Sequence, residues 1–174
     1  STFFTQEEMD ALCGLIDVIP DRDTFVHCDA HIGNVMVQDG ELILIDMADA
    51  GIGHPVFDIG TLCWHYRLMP NSQGRDFGLK TILGFVPENN DMLNAIWDDL
   101  IKVYFEPKSE TELIKINKIA YIIGTLRNTV TAAKHSQMPA QYKKMIIDAA
   151  KKELLPNIEE YKKLLGNVDE YFTN

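Results

Sequence analysis

Residues 25–37 read FVHCDAHIGNVMV, and two histidines, an aspartate, a glycine and an asparagine stand there between short apolar runs. The flanks, Phe25-Val26 and Val35-Met36-Val37, imply that this polar segment is held inside the fold. On a strand His27, Asp29 and His31 would share one face, because successive side chains alternate. Gly33 allows a tight turn before Asn34. Further on, LILIDMADAG brings a second carboxylate, Asp46, to the end of another apolar run.

Stretches 34–38 and 41–46 flank Asp39-Gly40, a dipeptide that favours a two-residue hairpin turn. A hairpin returns the chain to its start, so Asp46 is expected beside Asn34, with Asp29 one loop away. Carboxylate and amide oxygens suit Mg²⁺, which takes one or two carboxylates and fills its shell with water and phosphate oxygens. A carboxylate outside that shell can act as a base on a hydroxyl. A bridging cation and a base that orients the nucleophile are the parts phosphoryl transfer requires.

HCDAHIGN (27–34) has the form H-x-D-x-x-x-x-N, and LILIDMADAGIGHPVFDIG (42–60) carries an aspartate after an apolar run, then G-x-P and D-h. The two motifs, in this order and joined by a hairpin, resemble the catalytic and metal-binding segments of the aminoglycoside phosphotransferase and choline kinase superfamily, relatives of the protein kinases. The resemblance implies that Asp29 is the catalytic base, that Asn34 and Asp46 hold Mg²⁺ and with it ATP, and that His27 supports the metal loop from beneath. It implies that Asp58 braces the catalytic loop from the helix behind it. His31 is read as packing the loop. Cys28 takes the place of the Arg in the H-R-D of protein kinases, which points to a small-molecule acceptor.

In that superfamily ATP lies against an N-terminal lobe with a phosphate-covering loop and a pairing lysine. The 26 residues before His27 contain neither a lysine nor a Gly-rich loop. The chain is therefore expected to be the C-terminal lobe of a larger kinase, inactive alone. Two rival readings stay open. One is a metal-dependent hydrolase in which His27, Asp29, His31 and Asp46 bind Zn²⁺; the other is a kinase-like binding module without turnover.

The elements that must position these residues are legible in part. Thr5-Gln6-Glu7-Glu8 matches a capping box, and Met9, Leu12, Leu15 and Ile16 follow at helical spacing, so a helix is expected over 5–18. Residues 24–27 read as a short strand, and the loop AGIGHP (50–55), with two glycines and a proline, reads as irregular. Helical periodicity follows over 57–68, 89–105, 111–134, 139–154 and 157–165, with mobile loops expected at 69–76 and 135–139. Trp64, Tyr66, Trp97 and Tyr104 are expected in the core. The fold class is α+β, a small β-hairpin set into a single, mostly helical lobe.

Composition narrows the partners. At 174 residues the chain can bury a core of its own. No apolar run approaches the roughly 20 residues needed to span a bilayer. Cys13, Cys28 and Cys63 are scattered and form no CxxC pair, as for reduced thiols in a cytoplasmic protein. The net charge is −10, and residues 1–65 hold twelve acids against Arg22 alone. Nucleic acid is excluded, since phosphate backbones call for a basic face. A cationic small-molecule acceptor fits the excess, because opposite charge speeds encounter.

Overall fold

The computed structural model describes residues 3–134 and 138–172. Helix α1 (Gln6–Asp17) begins at the expected box: Thr5 Oγ1 accepts the Glu8 N–H at 3.1 Å, and Glu8 Oε2 accepts the Thr5 N–H at 2.8 Å. Strand β1 (Thr24–Val26) follows, then the hairpin β2 (Val35–Gln38) and β3 (Glu41–Leu44). Asp39 and Gly40 both take positive φ, 54° and 85°, the conformation of a two-residue hairpin turn, and Gln38 pairs with Glu41.

The glycine-rich loop is not irregular throughout. Gly51–Gly53 forms strand β4, antiparallel to β1, with Phe25 opposite Ile52. A three-residue pairing needs little intrinsic strand propensity once a partner strand lies alongside. Nor does the hairpin lie inside the fold. Val37 and Leu42 are 70% and 77% exposed, and of the apolar flanks around the polar segment only Val26 is buried. Every residue of this sheet except the half-buried Val35 is exposed.

The helical body accounts for the rest. Helix α2 (Val56–Cys63) runs into a π turn at Trp64–Leu68, and α3 (Arg75–Leu83), α4 (Asp91–Phe105), α5 (Glu110–Lys134), α6 (Ala140–Ala149) and α7 (Ile158–Gly166) follow. The residues from 69 lead by turns into α3, which the sequence pattern did not reveal. Gly78 in its middle sits so close to Met69 that a Cβ there would meet Sδ at 2.2 Å, so tertiary packing rather than amphipathic periodicity holds this helix. Residues 135–137 of the second expected loop lie outside the described residues.

The core centres on α5, whose Ile116, Ile119, Ile122 and Ile123 are buried, with Trp97 and Ile101 of α4 and Leu165 of α7. Trp64, Tyr66 and Trp97 are buried as expected. Tyr104 is 43% exposed and instead packs edge-on against Phe105 and Phe172 at the rim. Arg22 is spent on structure: its guanidinium bonds Asp169, which also receives His54 at 3.2 Å, so the chain's end is tied to the turn before α2. No helix among the described residues is long and apolar enough to cross a membrane. The fold is α+β, as expected.

Candidate functional site: a braced Asp29 loop

Helix α2 and its π turn hold the loop through a row of side chains. Asp58 Oδ2 accepts the His27 N–H at 3.0 Å and Oδ1 accepts the Cys28 N–H at 2.6 Å. Thr61 Oγ1 donates to the Cys28 carbonyl at 3.2 Å, and Tyr66 Oη accepts the Ile32 N–H at 2.9 Å. Cys28 is thereby fixed at φ 60°, a left-handed conformation that a non-glycine residue adopts only when its surroundings enforce it. Burial, and then the Asp58 carboxylate, push the Cys28 thiol above its ordinary pKa, so it is no nucleophile.

His27 is buried beneath the loop. Its Nδ1 accepts the Asp29 N–H at 3.2 Å, which puts the ring proton on Nε2, donating to the Ile45 carbonyl at 3.0 Å. Both ring nitrogens are engaged, so His27 cannot serve as a metal ligand in this conformation. Asp46 does not join the neighbouring cluster either. Among the described residues, the His/Asp atoms that converge to within 4.8 Å of one another are those of Asp29, His31 and His65. The four-residue zinc set of the hydrolase reading is not assembled.

Asp29 is held on two sides. Asn34 Nδ2 donates to its Oδ2 at 3.1 Å and to its carbonyl at 2.9 Å, and Arg127 Nη2 donates to Oδ1 at 2.6 Å. His31 Nε2 stands 3.6 Å from Oδ2. Burial raises the carboxyl pKa, but His31 and Arg127 outweigh it and hold the group down at about 2. Asp29 is therefore ionised at neutral pH.

With its nitrogen turned to Asp29, Asn34 keeps Oδ1 free of hydrogen bonds among the described residues. The Asn34 carbonyl accepts the Ile45 N–H at 2.9 Å, which sets Asp46 next to the Asn34 end of the hairpin. Asp46 takes φ 60°, is exposed, and has no hydrogen-bond partner among the described residues. An amide oxygen and a carboxylate, both unspent among the described residues and both near the hairpin base, are donor types that Mg²⁺ takes.

Gly33 belongs to the same construction. A Cβ there would meet the His31 ring at 2.8 Å and the Ile82 carbonyl at 3.0 Å, so the turn Ile32–Asn34 is pressed between His31 and the end of α3. His31 itself caps that turn, its Nδ1 accepting the Gly33 N–H at 3.0 Å.

Two residues of the site were not found by reading the sequence, Arg127 and His65. Arg127 reaches Asp29 because α2 and α5 cross at two glycines: a Cβ on Gly124 would lie 2.7 Å from the Gly60 carbonyl, and one on Gly60 would strike Ile123. Glycines inside two helical patterns are the signal that was available. His65 is 8% exposed, and neither ring nitrogen has a partner. Burial above all, then His31 and Arg127, hold its pKa down at about 3, so it is neutral. Arg127 also borders a cavity of about 480 Å³ with apolar walls that include Leu12, Ile16, Phe57 and Val130.

Residues 3–77, a little under half of the chain, match the family model described as phosphotransferase enzyme family (APH), which agrees with the resemblance carried by the two motifs. That span contains Asp29, Asn34, Asp46 and Asp58, and excludes Arg127. No curated protein and no solved structure matches the chain.

Proposed function

We propose that this chain carries the catalytic loop of an ATP- and Mg²⁺-dependent phosphotransferase that acts on a hydroxyl of a small molecule. The observation that carries the reading is the grip of Asn34 and Arg127 on Asp29, which fixes an ionised carboxylate beside two unspent oxygen ligands. Asp29 accepts the hydroxyl and orients its oxygen. A carboxylate whose pKa is about 2 is a weak base, so it takes the proton late, once bonding to phosphorus has made the hydroxyl acidic. Asn34 and Asp46 would hold Mg²⁺, which supplies charge neutralisation at the phosphate oxygens. Asp58, Thr61 and Tyr66 keep the loop in register and touch no reacting atom.

The lobe assignment belongs to this reading as well: a kinase-like C-terminal lobe, with an exposed hairpin and unspent oxygen ligands at its base. The acidic excess of residues 1–65 favours an acceptor with a cationic group.

The test is Asp29→Asn in whichever form of the protein turns over, this chain or a longer one that contains it. Expected is a fall in kcat of at least about 10²-fold with nucleotide affinity unchanged. A fall of less than threefold would remove Asp29 from the chemistry. Absence of phosphotransfer to any hydroxyl acceptor in an intact protein that binds Mg²⁺ and ATP would favour a binding module.

A further inference from the structure

We propose that Asp29, His31 and His65 form a binding site for one borderline transition-metal ion, Zn²⁺ foremost, distinct from the oxygen pair of Asn34 and Asp46. Their ligand atoms lie within 4.8 Å of one another, and His31 Nε2 is already 3.6 Å from Asp29 Oδ2. Ligand atoms on a tetrahedral zinc stand roughly 3.3 Å apart, given metal–nitrogen and metal–oxygen bonds of about 2.0–2.1 Å. Closing the cluster therefore takes side-chain movements of about an ångström at most, with no rearrangement of the backbone.

His65 is the independent sign of a ligand. Its ring is buried, and both nitrogens lack any partner, whereas every other described buried side-chain nitrogen or oxygen that is shielded from solvent has one. A native fold rarely leaves such a group unsatisfied without a bound water or ion. The residue is delivered by the π turn at the end of α2, an irregularity frequent at functional sites. Its ring lies 4.7 Å from that of His31, centroid to centroid, tilted by 50°. Two imidazoles and one carboxylate select zinc and its neighbours over magnesium, which prefers oxygen alone. Three protein ligands also leave the fourth position open.

Two local bonds oppose the ion. Metal at His31 Nε2 moves the ring proton to Nδ1, so the Gly33 N–H bond to that nitrogen is given up. The Arg127 guanidinium on Asp29 Oδ1 repels a dication. The carboxylate oxygens together offer about four lone-pair positions, so Arg127 and Asn34 do not exhaust them. Repulsion by Arg127 provides a signature that no merely structural role would produce.

The experiment is zinc titration of the purified 174-residue chain against a chromophoric chelator, with cobalt absorption as the report on geometry. Expected is one equivalent bound with Kd below about 1 µM and an intense tetrahedral cobalt band. His65→Ala and His31→Ala should each weaken binding at least about tenfold, Arg127→Gln should tighten it severalfold, and Asp46→Ala should leave it unchanged. Circular dichroism checks that each variant is folded. If His65→Ala unfolds, the half-buried His31→Ala and Arg127→Gln carry the test. Absence of a stoichiometric site, or a site indifferent to His31, His65 and Arg127, would overturn the proposal. Asp29 is shared with the phosphotransferase reading, so zinc bound here occupies the base and should inhibit phosphotransfer. Since the readout is metal binding, its failure leaves that reading standing, and loss of that reading leaves the metal site standing.

Discussion

Asp58 Oδ1 lies 2.6 Å from the backbone nitrogen of Cys28, and its second oxygen receives the neighbouring N–H of His27. One carboxylate thus satisfies two consecutive amides at the point where the chain turns left-handed, and it does so from a helix 30 residues away in sequence. This anchors the Asp29 loop to α2, so the loop's geometry is inherited from a helix rather than from its own turn chemistry.

Removing that anchor should cost stability. Hydrogen bonds to a charged acceptor contribute about 1.5–3 kcal/mol each, and a truncated carboxylate leaves two amides without a protein partner. Asp58→Ala should therefore lower unfolding free energy by about 2–4 kcal/mol, and Asp58→Asn by roughly half as much, because the amide keeps one acceptor. Urea unfolding followed by tryptophan fluorescence measures both. Loss of less than about 0.5 kcal/mol in Asp58→Ala would mean that the loop stands without its brace.

The crossing of α2 and α5 gives a prediction of opposite sign to the usual one. A glycine inside an exposed helix normally gains about 0.5–1 kcal/mol on replacement by alanine, through backbone entropy and helix propensity. At Gly124 the added Cβ would meet the Gly60 carbonyl at 2.7 Å, and a backbone atom cannot step aside as a flexible side chain can. Overpacking of about 1–3 kcal/mol should win, so Gly124→Ala lowers Tm. A rise in Tm would show that the helices separate freely, and that Arg127 is not held to Asp29 by this contact.

What the sequence disclosed was local chemistry. The Thr5–Glu8 box, the Asp39-Gly40 turn and the juxtaposition of Asn34 with Asp46 each depend on residues a few positions apart or on one hairpin, and periodicity or turn preference records them. Arg127 reaches Asp29 across 98 positions, and only the glycine crossing decides that arrival. Strand β4 escaped for a similar reason: glycine-rich text reads as irregular, and its pairing with β1 is a tertiary event. Helix α3 has too weak an apolar stripe to announce itself, and Gly78 at its centre lowers its helix propensity, which the close packing on Met69 offsets. The exposure of Val37 and Leu42 was hidden by composition, since an apolar strand is read as buried whatever lies above it.

The last prediction concerns the charge on Asp29. Burial by itself would raise this carboxyl, yet His31 and Arg127 bring it from 3.8 down to about 2. Because the folded-state value lies below the unfolded one, the group contributes stability that is fully present above about pH 5. That contribution fades as pH falls toward 2 and is gone below it. The side chain is partly open to solvent, so screening leaves on the order of 1–2 kcal/mol of the nominal linkage. The stability difference between wild type and Asp29→Asn should accordingly shrink between pH 6 and pH 2. In Arg127→Gln and in His31→Ala the Asp29 carboxyl should titrate higher than in wild type, because each variant removes a cationic or hydrogen-bonding partner. Carbon-13 NMR of the aspartate carboxyls reads the titration directly. An Asp29 that titrates near 3.8 in wild type, or that ignores both variants, would dissolve the ion pair.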